Sequence, residues 1–468
     1  VPRSVARVAL LTVVLAGGVV ARAAHAQTLP APLRARIDSM VRDVLANTGA
    51  PSASIAVVKD GEIEYTNAYG TARLDPMVPA ASSMRYSIGS VSKQITATAV
   101  LLLAERGKLS LDDKVSRWMP TLTRAGDVSI RQLLSMTSGY QDYWPQDYVM
   151  PPMLKTTTAQ LIAAEWGQKA LDFEPGTAWQ YSNTNYVIAG LIVEKASGMP
   201  LVDFLRKNVF TPLHMESVMI TDEGALGPTD PERYERFGLG PLRVAPKEAR
   251  GWMFAAGELA MNASDLARWD ISVMKQTVLK PSSYRMQQTD MLLKDGRASG
   301  YGLGVSVGSF GDHRMISHGG EVSGFSTQNS IFPDDGMAVV VFANLFSTNA
   351  QGIIADRIAG MLFASTDAAT DRAVAQTRSI FEALQRRTVD RALFTSNANA
   401  YFSEQAIGDF ASSIGSCGTV TAVAQASHSL RGGMDYRGYR VHCGAKDYAV
   451  STFVMPDGKI EQYIVTPR

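Results

Sequence analysis

Ser87-Ile88-Gly89-Ser90-Val91-Ser92-Lys93-Gln94-Ile95-Thr96-Ala97-Thr98-Ala99-Val100-Leu101-Leu102-Leu103-Ala104-Glu105-Arg106-Gly107 is the stretch around which the rest of the chain organises. Its first residues continue a strand-like run that starts at Arg85. From Val91 to Arg106 it is rich in Ala and Leu and free of Gly and Pro, which reads as a helix closed by Gly107. Between Ala97 and Ala104 that helix is apolar over most of its circumference, and such a helix must be buried. Ser90 then stands at a helix N-terminus with Lys93 one turn later, their side chains on a shared face.

Upstream, Ser54 to Val58 and Glu62 to Tyr65 flank Lys59-Asp60-Gly61 and read as a β-hairpin, because a D-G turn separates two runs of β-formers. Downstream, helical patterns recur at Ile130 to Met136, Thr158 to Trp166, Asn185 to Ala196 and Ser264 to Met274. Strand patterns return at Gly302 to Val307, Arg314 to His318, Ser326 to Phe332 and Met337 to Asn344. Strands at both ends with helices between predict an α+β fold, with a sheet whose edge strands come from the N-terminus and whose other strands come from the later region. Around Ser365 to Asp371 the sequence turns small and polar, a boundary beyond which helices and then four short strands between Thr419 and Val465 predict a small α+β module. The expected division is a leader at 1–26, a main domain at 27–365 and an accessory domain at 366–468.

A chain of 468 residues with 46% hydrophobic and 19% charged residues has ample material for a large core. Its 45 basic and 44 acidic side chains lack the clustered positive surplus a nucleic-acid binder needs. Arg3 and Arg7, the apolar stretch Val8 to Val20 and Ala24-His25-Ala26 follow the order of a secretory signal, with cleavage expected after Ala26. That stretch is short of the ~20 residues needed to span a bilayer, so the expected product is periplasmic or secreted. In such an oxidising setting Cys417 and Cys443, the only cysteines, are candidates for a disulfide, with two buried free thiols the alternative. The six histidines form no H-E-x-x-H pair or close cluster with carboxylates, so no metal is indicated.

A serine hydroxyl is a poor nucleophile until a neighbouring base takes its proton, and a lysine serves only where desolvation or nearby positive charge lowers its pKa. The buried helix and its positive N-terminal end supply both conditions at Ser90 and Lys93. The tetrapeptide alone decides little, since Ser272-Val273-Met274-Lys275 repeats its spacing. Tyr181-Ser182-Asn183 follows the expected turn Phe173-Glu174-Pro175-Gly176 and lies on a loop before a helix, where a phenol could relay protons. Y-x-N arises cheaply, as Tyr65-Thr66-Asn67 shows. His318-Gly319-Gly320 ends a strand, and its glycines let a substrate backbone approach that edge. Gly304-Val305-Ser306-Val307-Gly308 satisfies G-x-S-x-G, but that nucleophile elbow needs strand, sharp turn and helix. Period-two alternation of Tyr301, Leu303, Val305 and Val307 makes Ser306 a mid-strand serine instead.

Taken in order, Ser90-x-x-Lys93, Tyr181-x-Asn183 and His318-Gly319-Gly320 resemble the serine β-lactamase and penicillin-binding superfamily, specifically its class C β-lactamase-like branch. Further segments resemble the same branch: Leu133 to Gly139, Phe173 to Gly176, Ala256 to Leu259 with Asp265-Leu266, Tyr301 to Gly304, and Gly324-Phe325. The resemblance covers about Leu33 to about Phe363. It implies a β-lactamase/transpeptidase-like antiparallel sheet flanked by helices, with an all-α subdomain.

The resemblance also implies an acyl-enzyme at Ser90, with Lys93 and Tyr181 exchanging its proton and Asn183 orienting the substrate amide. The backbone N–H groups of Ser90 and Glu321 would face the oxyanion, and no cofactor is required. Class C β-lactamases carry Lys-Thr-Gly where this chain has His318-Gly319-Gly320, which exchanges a permanent cation for a group mostly neutral at pH 7 and should weaken carboxylate anchoring. The variant looks like those of D-amino-acid-specific peptidases, some D,D-peptidases and family esterases. Expected substrates are D-amino-acid peptides, esters or β-lactams. The alternatives are a class C-type β-lactamase and a slowly acylating penicillin-binding sensor. Met136 and Met261-Asn262 also depart from the pattern and alter the pocket lining. The C-terminal module looks loosely like a cone-shaped NTF2-like fold.

Overall fold

The computed structural model describes residues 27–467 apart from 147 and 367; the expected leader at 1–26 lies outside them. The described residues form two compact units, divided between Ile358 and Ala359. In the first, helix α1 (Ala31–Thr48) is followed by strands β1 (Ser52–Lys59) and β2 (Glu62–Leu74). Asp60 and Gly61, both at positive φ, close that hairpin, as the D-G pair requires. A short strand β3 (Met77–Pro79) pairs with β2.

Helix α2 (Ser92–Glu105) is buried from Ser92 to Leu103 and packs against α3 (Asn183–Ser197), itself buried from Asn183 to Val193. The hydroxyls this buries are satisfied locally: Thr96 Oγ1 donates to Ala255 O at 2.8 Å and Thr98 Oγ1 to Gln94 O at 3.0 Å. Helix α4 (Ala263–Met274) carries the fully buried Trp269 and packs on the sheet. The later strands are β4 (Ser306–Phe310), β5 (His313–Val322), β6 (Phe325–Phe332) and β7 (Met337–Ala343), followed by helix α5 (Ala350–Thr366).

The seven strands form one sheet in the order β3-β2-β1-β7-β6-β5-β4, with antiparallel neighbours throughout. The expectation that both edges come from the N-terminus is corrected here: β3 is one edge and β4 the other. The reason is in the composition of β1. Ser52-Ala-Ser-Ile-Ala-Val-Val58 is buried at every position, so both of its sides must be covered, and β7, equally buried, pairs with it from Ala53↔Ala343 to Val58↔Ala338. Ser306 is also placed differently from expectation. It is the exposed first residue of β4, and Tyr301 to Val305 before it are all buried in a loop with no strand assignment beyond a Tyr301↔Ser306 bridge. Ser306 leads into a strand and not into a helix, so G-x-S-x-G forms no elbow here.

The second unit has its own core, including Phe381, Leu384, Phe402, Val441 and Tyr463. Helices α6 (Ala368–Gln385), α7 (Ser396–Tyr401) and α8 (Glu404–Ile414) precede a four-stranded antiparallel meander, β8 (Val420–Arg431), β9 (Met434–Cys443), β10 (Lys446–Val454) and β11 (Ile460–Pro467). Cys417 and Cys443 are joined by a disulfide within this unit. Among the described residues no helix is long and apolar enough to cross a membrane.

Candidate active site

The turn Gly89–Val91 carries Ser90 from the end of a short strand, Tyr86–Ser87, into α2. Because Lys93 lies three residues on in the same helical rise, its Nζ comes 2.9 Å from Ser90 Oγ. Lys93 is 0% exposed, and its ammonium group would be costly there without partners. Nζ has two further acceptors, Asn183 Oδ1 at 2.7 Å and Ala256 O at 2.8 Å. The Tyr181 ring stands beside it, with Nζ 4.9 Å from the ring centroid, and Tyr186 lies at 5.7 Å.

Tyr181 ends the loop before α3 and Asn183 is that helix's first residue, so the Tyr-x-Asn pattern straddles a helix start. The amide of Asn183 is not left free toward a substrate. Its oxygen faces Lys93, while its Nδ2 donates to Asp142 Oδ2 at 3.2 Å and to Trp144 O at 3.4 Å. Asp142 also accepts the Asn183 backbone N–H at 2.9 Å and that of Trp144 at 3.1 Å. Burial pushes the Asp142 carboxyl above its usual range, opposed by those N–H groups and by the charge of Lys93.

His318 lies in β5, two residues from Gly320, and is 6% exposed. Its Nδ1 is 2.5 Å from Gly319 O and its Nε2 is 2.8 Å from Tyr301 Oη. A carbonyl can only accept, so Nδ1 carries a proton, and in the neutral ring Nε2 accepts from the phenol. Burial, reinforced by Lys93, lowers its pKa to about 4. The ring centroid of Tyr181 is 6.2 Å from that of His318.

The depressed pKa gives a signed prediction. Between pH 6.5 and 4 the unfolded chain protonates this histidine and the folded chain does not, so its contribution to stability is complete above 6.5 and is lost as pH falls. Wild type should lose about 3 kcal/mol more than His318→Gln as denaturation is followed from pH 7.5 to 4. A difference that stays constant across that range rejects the neutral assignment.

Gly320 holds β5 close to the nucleophile segment: a Cβ there would strike Ile88 O and Thr327 Oγ1. One residue on, a Cβ built on Gly89 would come within 3.1 Å of Glu321 N. Ser90 and Glu321 thus wall one crevice, with Tyr143, Trp144, Asn183, Met253, Ala256 and Val322. Its open volume, about 10 Å³, is that of one water. Larger clefts exist, such as one of about 580 Å³ in the second unit beside Phe410 and Tyr448, but chemistry rather than size marks the site.

The fold therefore gathers Ser90, Lys93, Tyr181, Asn183, His318, Gly319, Gly320 and Glu321, whereas Ser306 begins a different strand and Cys417 and Cys443 belong to the second unit. Sequence reading missed Asp142 and the aromatic wall of Tyr143 and Trp144, and it named the segments that begin at Ala256 and Tyr301 without giving either residue a role. Asp142 follows three residues after the Leu133 to Gly139 segment, which is the nearest signal that could have found it. Among the described residues no three His, Cys, Asp or Glu side chains gather as metal ligands.

Residues 37–360 match the family model described as Beta-lactamase. The chain belongs to the beta-lactamase family. It is similar to penicillin-binding protein 4* of Bacillus subtilis, 29% identical over 311 residues, which cover 63% of this chain and 68% of that protein. It is also similar to the D-aminopeptidase of Brucella anthropi, 28% identical over 317 residues, 66% of this chain but only 59% of that protein. Among solved structures, the D-amino acid amidase of Ochrobactrum anthropi SV3 superposes with a TM-score of 0.64 at 23% identity, covering 72% of this chain and all of that one. This likeness places the first unit in the beta-lactamase/transpeptidase-like fold.

Proposed function

We propose that this protein is an exported serine hydrolase of the class C-like branch, with its catalytic domain at 27–365 and an accessory domain at 366–468. It acts through a Ser90 acyl-enzyme on amides and esters with uncharged leaving groups. The observation that carries the proposal is Ser90 Oγ within 2.9 Å of a fully buried lysine nitrogen that also reaches Asn183 Oδ1 and Ala256 O. In the neutral amine, two N–H groups serve those acceptors and the lone pair faces the Ser90 hydroxyl, ready to take its proton. Ser90 Oγ then bonds to the carbonyl carbon, the N–H groups of Ser90 and Glu321 steady the oxyanion, and the proton passes by Lys93 or Tyr181 to the departing nitrogen or oxygen. Water reverses the sequence, releasing the acid and restoring Ser90.

The neutral, engaged His318 argues for the leaving-group preference. A carboxylate beside it meets no imidazolium at neutral pH, so carboxylate-bearing β-lactams gain little there. The relatives named penicillin-binding protein and D-aminopeptidase are consistent with acylation of this kind.

A fluorophosphonate or fluorescent penicillin, followed by peptide mapping, should place the adduct on Ser90, and Ser90→Ala should lose it. An adduct on Ser306, or one that persists in Ser90→Ala, rejects the proposal. In a panel of a short-chain p-nitrophenyl ester, a D-amino-acid amide, a D-Ala-D-Ala peptide and nitrocefin, the first two should turn over at least tenfold faster than nitrocefin. Preference for nitrocefin would favour a class C-type β-lactamase, and labelling without turnover of any member would favour a slowly acylating sensor.

A further inference from the structure

A lysine with no exposed surface needs both its charge and its orientation managed, and the arrangement around Lys93 shows how. Asn183 presents its oxygen to Nζ at 2.7 Å and its Nδ2 to Asp142 Oδ2 at 3.2 Å. An isolated asparagine amide could sit either way round, with NH2 or oxygen toward the lysine, and the wrong way would set two donors face to face. Asp142 removes that freedom. All three N–H groups that reach it, two from Asn183 and one from Trp144, are donors, so a carboxylate satisfies them and an amide at the same place could turn a donor of its own toward Asn183. The same carboxylate accepts the backbone N–H of the first residue of α3, which ties the start of that helix, and Tyr181 before it, to the loop at 141–144.

We propose that Asp142 is a positioning residue: through Asn183 it fixes the amide oxygen on Lys93 and supplies the negative charge that balances the lysine when it carries a proton. This rests on the proposed function, in which Lys93 serves Ser90. Asp142 touches neither substrate nor reacting atoms in this role. The titratable groups around the pair are Tyr143 on the same loop, Tyr181 and Tyr186 at the start of α3, and His318 on β5, with the charges of Asp222 and Glu248 also felt at Tyr143. The Asn183 side chain bridges Asp142 and Lys93, its Nδ2 donating to Asp142 Oδ2 and Trp144 O while its Oδ1 accepts from Lys93.

The test is the pH dependence of Ser90 acylation by a fluorophosphonate in full-length wild type, Asp142→Asn and Asp142→Glu, with melting temperatures recorded alongside. Without the nearby negative charge Lys93 gives up its proton more readily, so in Asp142→Asn the acid limb of the rate profile should move down by about one pH unit. The plateau rate should fall at least tenfold, because the amide of Asn183 is no longer held. Asp142→Glu, which keeps the charge, should return the limb toward wild type even if it lowers the melting temperature. An unmoved limb in Asp142→Asn overturns the inference, whether the rate is unchanged or falls together with the melting temperature, since the latter is what a merely structural residue would do. If Asp142→Glu shifts the limb as far as Asp142→Asn, charge is not what Asp142 supplies and the inference also fails. Wild type that takes no label at Ser90 removes the proposed function itself, a result distinct from all of these.

Discussion

Lys93→Met should lower the rate of Ser90 acylation by about three orders of magnitude or more while the protein stays folded, as expected when a nucleophile loses the base beside it. Methionine keeps the unbranched stem and fills the same buried space. The substitution strands Asn183 Oδ1 and Ala256 O without their donor, at about 1–3 kcal/mol each. Removing a fully buried amine also relieves the penalty of desolvating it, which is several kcal/mol when it is protonated, so the two effects oppose one another and stability should stay near that of wild type. Lys93→Arg should be as inactive, because a guanidinium does not give up its proton and cannot act as a base. Stopped-time labelling with a fluorophosphonate, read beside a denaturation curve, checks both halves. Wild-type acylation in either variant would show that another group activates Ser90.

The two glycines after His318 should respond oppositely to alanine. At Gly320 a new methyl meets Ile88 O and Thr327 Oγ1, and Ile88 leads directly into the Gly89–Val91 turn. Strand β5 and the nucleophile turn must then separate, which should cost about 1–3 kcal/mol as overpacking does. The same separation pulls Glu321 N–H away from Ser90, so acylation should fall by more than tenfold. At Gly319 the nearest atom to the new methyl is Gln328 Oε1 at 3.6 Å, ordinary contact, so the change in stability should stay within about 0.5 kcal/mol. Urea denaturation of the two variants measures the contrast. Equal destabilisation would mean that β5 does not press on the Ile88–Ser90 segment.

Much of the first unit was readable because its signals are local. The D-G hairpin, the apolar run of α2 and the strand patterns after Arg314 each depend on a few neighbouring residues, and each forms close to where its pattern lies. Errors arose where burial on two sides replaces alternation. The segment Tyr301 to Val305 alternates large and small residues and so suggests a strand, yet all five residues are buried in a loop, with Gly304 pressed against Lys93 O and the Tyr186 hydroxyl. Strand order was misjudged for the same reason. Continuous burial of β1 makes it interior, and that is settled by which later strand covers its free side.

The chemistry divides along a similar line. Chemical identity and short spacing already commit Ser90 and Lys93 to one another, since three residues of helix bring their side chains to one face whatever the remainder of the chain does. Asn183 holding its oxygen to Lys93, Asp142 holding Asn183, and Tyr301 fixing a neutral His318 join residues from five separate segments. Such partnerships have no spacing to betray them. They exist because packing α3 on α2 and β5 beside the Ser90 turn excludes water, and polar groups left without water must find one another.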